Sequence, residues 1–377
     1  MTQPSFENAM SMTSLKIAHV YKDYYPVLGG IENHIKVLAE LQAASGHVVS
    51  AFVTNPGGQP ERETMGGVDV HRLPRLGTLA STPLSLSFPG ALRRFGPDIT
   101  HLHFPYPVGE ASQWLAGGGR PYVITYHSDV VRQKSILRLY RPILLRVLRG
   151  AARILPTSEN YIASSPYLRP LHSKCRVVPL SVDPVSFQNA PRLVPKADTP
   201  TLLFVGRHRY YKGLGDLLKA MGGLDARLLV GGDGPMRRKW EALAGELDLR
   251  GKVRFLGDVP DEDLPGLYRS ADIFVLPANA RAEAFGTVLL EAMAAGLPCV
   301  TTELGTGTSF VVQDGITGLV VPPGDPASLQ GAIGRLLEDG DLRVAMGEAG
   351  RRRVLAEFTP ELLLQRVEAV YREILGL

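Results

Sequence analysis

The chain is poor in cysteine, short of aromatic residues and free of long apolar runs. Its two cysteines, Cys175 and Cys299, lie far apart inside apolar stretches. That excludes a disulfide framework or a zinc site and reads as reduced, buried thiols of a cytosolic protein. No window approaches ~18 uncharged apolar residues, so no membrane span is expected. The first dozen residues, MTQPSFENAMSM, have neither a basic start nor an apolar core. They read as a frayed extension and not as a signal peptide. With 7% aromatics and no recognisable binding module, a nucleic-acid partner is not expected. No repeat of 20–50 residues is visible, which excludes a solenoid. An apolar share of 45% with 21% charged residues excludes disorder. At roughly 150 residues per domain, 377 residues make two domains or three.

Charge is divided unevenly. Residues 1–180 hold 19 of the 41 Lys+Arg and 11 of the 37 Asp+Glu, a net +8, which leaves −4 for the remainder. Such a split suggests that one half meets an anionic surface or ligand. Apolar strands at 16–20, 48–53, 99–102, 122–125 and 154–156 alternate with helical patterns. A Pro-rich, aperiodic stretch follows over 181–200. A second series then has strands at 202–205, 227–230, 253–256, 273–276, 298–301 and 319–321, with closing helices near 342–357 and 361–376. Repeated βα units predict an α/β chain of two Rossmann-like, doubly wound parallel-sheet domains facing across a cleft. Such sheets bind ligands at the carboxyl ends of their strands.

Four loops carry candidate chemistry. Glu283 precedes a helix and Glu291 lies inside it, eight positions on, about 12 Å at ~1.5 Å per residue. Two carboxylates so placed can hold both ends of an elongated polyhydroxylated ligand. The free amides near Phe285, Gly286 and Thr287 would face a phosphate between them. The plainer reading is a loop carboxylate and a partnered helix residue. Arg207 and Lys212, after the first strand of the second half, suit a diphosphate leaving group, whose charge must be offset where no metal is bound. Solvated loop cations are the alternative. Gly29-Gly30 lets backbone approach a ligand, or simply makes a turn. Gly231-Gly232-Asp233-Gly234-Pro235, with Pro235 at a first helical position, resembles part of a dinucleotide fingerprint but lacks the acidic ribose anchor.

His101 and His103 share a strand face with no carboxylate or Cys to complete a metal set, so they read as core or cleft-edge residues. His127, ending a strand, is the better active-site histidine. Asp261-Glu262-Asp263 matches a metal-holding string, but helix capping explains it better. Arg132 to Leu155 is basic and amphipathic, with Lys134, Arg138, Arg141, Arg146 and Arg149 and no acid. It reads either as a solvated helix face or as contact with an anionic membrane surface.

Together, Gly29-Gly30-Ile31-Glu32, Gly206-Arg207 with Lys212-Gly213, Gly232-Asp233-Gly234-Pro235, Glu283 to Glu291 and Asp314-Gly315-Ile316-Thr317-Gly318 resemble the GT-B-fold retaining glycosyltransferases of family 4 (GT4). The resemblance covers nearly the whole chain from Leu15. It implies metal-independent transfer of a hexose from a nucleoside diphosphate sugar, with no cofactor. Residues 13–185 would be the acceptor-binding domain, joined by the crossing helix 361–377; 186–200 would be the linker and 201–360 the nucleotide-sugar-binding domain. By matching position, Arg207 and Lys212 would contact the diphosphate and Gly30 would lie against it. Glu283 and the amides of Phe285 and Gly286 would hold the sugar, Glu291 the ribose, and His127 would stand near the transferred sugar. The base would lie against Val253–Val259. Retention would follow from front-face attack. One departure is Leu304-Gly305-Thr306-Gly307-Thr308-Ser309, where members often carry Gly-Gly-x-Pro-Glu. The His127-Ser128-Asp129 segment followed by Arg132-Gln133-Lys134 is similar to a bacterial subgroup of O-antigen mannosyltransferases. This favours GDP-mannose over a UDP-sugar. It also favours a glycan or polyprenyl-diphosphate-linked acceptor, used at the cytoplasmic membrane face. A nucleotide-sugar epimerase would turn over donor with no acceptor. A non-catalytic nucleotide-sugar-binding protein would turn over nothing, and an NAD-dependent oxidoreductase would bind nicotinamide.

Overall fold

A computed structural model describes residues 13–377 apart from 28, 80, 81 and 131–133, with the side chains of 134–137 and 139 also outside it. Of the basic stretch, Arg132, Gln133 and the Lys134 side chain therefore lie outside the described residues, as does the expected frayed extension.

Two compact units form. Unit 1 runs through Tyr126 and includes Arg132–Leu155 and Leu364–Leu377; unit 2 is His127–Val131 with Pro156–Leu363. In unit 1 the strands are β1 Lys16–Val20, β2 Val48–Asn55, β3 Glu61–Met65, β4 Val68–Pro74, β5 Gly77–Leu79, β6 Thr82–Leu84, β7 Ile99–Phe104, β8 Tyr122–Tyr126 and β9 Arg153–Pro156. Its main sheet has the order β3-β4-β2-β1-β7-β8-β9. β2, β1, β7 and β8 pair in parallel, and β4 joins β2 in parallel while β3 runs antiparallel at the edge. β7 is buried throughout and β2 over all but its ends, as expected for a parallel sheet covered on both faces.

In unit 2 the strands are β10 Thr201–Val205, β11 Arg227–Gly231, β12 Val253–Gly257, β13 Ile273–Leu276, β14 Cys299–Thr302 and β15 Gly318–Val321. Their order is β12-β11-β10-β13-β14-β15, so the chain changes direction across the sheet between β10 and β13. That switch point opens a crevice at the strands' carboxyl ends. The equivalent point in unit 1 lies between β1 and β7.

Two stretches differ from the sequence reading. Residues 61–84, which show no clear period, form β3, β4 and the small hairpin β5–β6. The Pro-rich 186–200 stretch packs onto unit 2: Leu193 N–H donates to Gly266 O and Val194 N–H to Ser270 Oγ, with Phe187 and Val194 buried. The last helix is Pro360–Leu375, and its part from Leu364 on belongs to unit 1, tied there by Tyr371 to His101 (2.6 Å), Glu368 to His47 (3.2 Å) and Glu373 to Arg153. Both cysteines are buried; burial pushes the Cys175 thiol up to about 11 and Cys299 further.

Candidate active site

The β10–β13 switch point determines which loops can meet. The loop after β10 carries Lys212, and the loop after β13 carries Glu283. Both side chains are buried, and Lys212 Nζ lies 2.7 Å from Glu283 Oε2. Burial alone would discharge the lysine, but the Glu283 carboxylate more than offsets it and Lys212 titrates above an ordinary lysine. A cation is thereby kept charged at the crevice floor.

Glycine makes this approach possible. Gly213, beside Lys212, has φ +69°, and a Cβ there would fall inside the Pro277 carbonyl at the start of the neighbouring loop. Asn279 N–H then donates to Tyr211 O (3.0 Å), lacing the two loops together. On the other side, Gly206 N–H donates to Gly231 O and His208 N–H to Asp233 O, at 3.1 and 2.8 Å. Gly234 sits so close that a Cβ would stand 2.8 Å from His208 O. The Gly-rich turn after β11 is therefore spent on holding the Lys212 loop. Its following helix starts at Arg237, two residues beyond Pro235.

Glu283 is buttressed from behind. Thr306 Oγ1 donates to Glu283 O (2.9 Å) and Gly307 N–H to Ala284 O (2.7 Å). A Cβ at Gly307 would stand 2.6 Å from Phe285 Cα. The 304–309 loop thus acts on the Glu283 loop through backbone contacts. Arg281 extends the brace. It donates to the carbonyls of Leu304 and Gly305, lies over the Tyr161 ring at 5.4 Å, and pairs with Asp129 at 3.3 Å. Asp129 also accepts from Ser165 Oγ (2.7 Å). This joins the His127–Asp129 segment to unit 2; His127 itself is buried.

The remaining expected residues are placed as follows. Gly286 is the N-cap of the helix Thr287–Ala294, at φ +82°. Only the last part of the 283–291 interval is helical, so a rise of ~1.5 Å per residue does not describe it. Glu291 accepts a 2.6 Å hydrogen bond from Tyr268 Oη, and burial raises its carboxyl above the ordinary range. Arg207 is exposed at the end of β10, and Val259 is half-buried against the core beyond β12. Asp263 occupies an N-cap position, but its side chain makes no capping bond, because it already has helical backbone angles. In unit 1, Gly29 and Gly30 open the helix Gly30–Ala44 after β1. The Glu32 side chain folds back over Gly29 and fills the space a Cβ would need. His101 and His103 stack at 4.6 Å, and His19 Nδ1 lies 3.0 Å from His103 Nε2. Both His101 nitrogens are engaged, by Tyr371 Oη and Thr125 Oγ1, so this cluster is a hydrogen-bonded core layer. Tyr268 and Arg281 are not among the expected site residues, and Asp129 and Thr306 lie in segments that the sequence singles out without giving either residue a role.

Comparison with known proteins decides the family. Residues 28–185 match the model "Glycosyltransferase Family 4", and residues 187–353 match "Glycosyl transferases group 1". The D-rhamnosyltransferase WbpZ of Pseudomonas aeruginosa is 37% identical over 92% of this chain and 92% of its own. The chain belongs to the family 4 glycosyltransferases. The glycosyltransferase is also 35% identical to the O-antigen chain mannosyltransferase C of Escherichia coli, over 96% of this chain and 99% of that one. Among solved structures it is similar to the sucrose-phosphate synthase of Thermosynechococcus elongatus, with TM-score 0.80 and 26% identity over 96% and 99% of the two chains. Its two Rossmann-like parallel-sheet domains are those of GT-B glycosyltransferases. No helix among the described residues is long and apolar enough to cross a membrane.

Proposed function

We propose that the glycosyltransferase moves a manno-configured hexose, mannose in the first instance, from a GDP-sugar to a glycan or polyprenyl-diphosphate-linked acceptor, with retention and without a metal. The sugars named for the two bacterial relatives, D-rhamnose and mannose, differ only in the hydroxyl at C6. The observation that carries the reading is the buried Lys212–Glu283 pair at the switch point. In the proposal, Lys212 and Arg207 face the diphosphate, and Glu283 with the amides of Phe285 and Gly286 holds the sugar hydroxyls. Thr287 presents the helix N-terminus, Glu291 takes the ribose and Val259 lies by the base. His127 stands by the transferred sugar, and Gly29 and Gly30 offer backbone to phosphate.

The chemistry then balances on one face of the sugar. The bond from the anomeric carbon to the phosphate oxygen breaks, and the acceptor oxygen bonds to that carbon from the same side. The acceptor's proton passes to the departing phosphate. Charge accumulates on the diphosphate, where a fixed cation stabilises it. Assembly occurs at the cytoplasmic membrane face, the exposed Arg138, Arg141, Arg146 and Arg149 meeting anionic lipid.

Transfer of labelled sugar to a lipid-linked acceptor tests this. Glu283→Ala and Lys212→Met should each lower turnover at least ~100-fold, the scale of a lost transition-state donor, and leave the circular dichroism spectrum unchanged. EDTA should have no effect. GDP-mannose at a hundred times its Kd should add about 2.7 kcal/mol to stability. Variant activity within tenfold of wild type, or metal-dependent transfer, would refute the mechanism.

A further inference from the structure

We propose that Arg281 and Asp129 are a pair of positioning residues for the transfer. Their ion pair sets the spacing between the segment that carries His127 and the loop that carries Glu283, the two stretches read above as flanking the transferred sugar. The inference rests on that reading and adds the element that holds the two stretches in register. Asp129 stands two positions after His127, and Arg281 two positions before Glu283. One contact of 3.3 Å, from Arg281 Nη2 to Asp129 Oδ2, thus joins residues 152 apart in sequence.

Each end of the pair is anchored without the other, and all the anchoring residues belong to unit 2. Asp129 N–H donates to Tyr161 Oη (2.7 Å), and Asp129 Oδ1 accepts from Ser165 Oγ (2.7 Å). Tyr161 and Ser165 lie in the short helix Glu159–Ser164 and at its C-cap, and Ser158 Oγ caps its start by accepting from Tyr161 N–H (3.2 Å). At the other end, Arg281 Nη1 donates to the carbonyls of Leu304 and Gly305 at 3.2 and 3.3 Å. That turn is fixed in its own right. Gly305 N–H donates to Glu303 Oε1 (2.7 Å), and Gly305 O accepts from Ser164 Oγ of the same short helix. Gly307 N–H then donates to Ala284 O (2.7 Å), next to Glu283. The contacts form a ring: Asp129, the helix 159–164, the 304–307 turn, the Glu283 loop and Arg281. The ion pair closes it.

Such a contact is poorly suited to stabilising the fold. The Arg281 side chain is 34% exposed and 3.3 Å is long for a charge-assisted hydrogen bond, so solvent screens much of the attraction. What the pair supplies is register. Opened, the ring still leaves both ends on their anchors, but the distance from His127 to Glu283 is then set by a chain of bonds, each adding slack. Transfer is steep in that distance, because a misplacement of about 1 Å at the reacting atoms costs on the order of a hundredfold. The pair also keeps charge even. The Asp129 side chain is 11% exposed and Glu283 is buried, and each carboxylate has its own cation, Arg281 for one and Lys212 for the other. Neither then stands as an unmatched negative charge while the diphosphate gathers its own.

The test uses the full chain with GDP-mannose as donor. Asp129→Asn keeps an oxygen for Ser165 and turns an N–H toward the guanidinium, which opens the pair. It should lower kcat about tenfold or more, with the donor KM within threefold and melting unchanged. Arg281→Lys, which keeps the charge, should recover most of the turnover that Arg281→Met loses. Arg281→Met/Asp129→Asn should be no worse than Arg281→Met, because the two residues act as one unit. Asp129→Asn turnover within twofold of wild type, a higher donor KM at constant kcat, or losses that multiply in the double variant would each overturn the proposal. Hydrogen exchange without substrate reads the ring apart from the reaction. The Asp129 and Gly307 amides, bonded to Tyr161 Oη and Ala284 O, should exchange at least threefold faster in Arg281→Met. Unchanged exchange at both would overturn the proposal too. Faster exchange in a chain that transfers nothing from GDP-mannose would remove the donor proposed above and leave the role of the pair standing.

Discussion

The layers around the two switch points are built differently. In unit 2, Gly206, Gly213, Gly232, Gly234 and Gly286 all adopt positive φ around β10 and β13, and at Gly213, Gly232 and Gly234 backbone meets backbone with no room for a side chain. In unit 1, the space beside β1 and β7 is filled by the stacked rings of His19, His101 and His103, with His34 edge-on to His103. Unit 2 thus holds the Lys212–Glu283 pair in a frame set by steric necessity. Unit 1 has a polar interior whose stability depends on protons staying off imidazole. The first arrangement tolerates pH but not methyl groups, and the second tolerates small packing changes but not acid.

The largest expected effect tests the steric side. Gly213→Ala forces both a left-handed backbone and a clash with Pro277, and should cost unit 2 on the order of 4 kcal/mol by chemical denaturation. A loss below ~1 kcal/mol would show that the two loops can part freely.

Next comes acid. Burial lowers His19 to about 4 and His34 to about 3, from an ordinary 6.5. The unfolded chain binds more protons in that window, so their contribution is complete above about 6.5 and is lost as pH falls toward 4. For His19 this amounts to ~3 kcal/mol. Hydrogen exchange should show β1 and β7 amides losing protection on acidification well before those of β10 and β13. Burial lowers His208 in unit 2 as well, and equal acid sensitivity of the two sheets would erase the contrast.

A smaller effect runs the other way within unit 1. Glu110 is buried, accepts from Tyr106 N–H (2.8 Å) and Tyr140 Oη, and burial raises it to about 7. The folded state therefore keeps a proton that the unfolded chain loses above about 4.5, so stability falls as pH rises toward 7. Glu110→Gln cannot titrate. Its melting temperature relative to wild type should rise from pH 4.5 to pH 7, by the equivalent of ~2 kcal/mol. A difference that stays flat would place the carboxylate in a wetter setting.

Most of the strand ladder is legible in the sequence, because buried parallel strands such as Leu202–Val205 and Ile273–Leu276 read as unbroken apolar runs. β3 is not, since ERETM is an exposed edge strand whose pattern is set by solvent on both sides. The hairpin is hidden for the opposite reason, its leucines facing outward. At the site, Lys212 and Glu283 are each visible as motif members, but their 2.7 Å meeting depends on strand order, which periodicity does not encode. The pairings of Arg281, Asp129 and Thr306 are not legible beforehand, although Asp129 and Thr306 lie in segments that the sequence singles out. Each matters through a partner more than twenty residues away.

The buried thiols have a practical consequence. With Cys175 at 7% exposure, Cys299 sealed and both held well above neutral titration, maleimide chemistry near pH 7 should pass over the native chain. A cysteine engineered at an exposed position would then accept a fluorophore or spin label by itself, so that domain motion becomes measurable without first stripping the protein of sulfur.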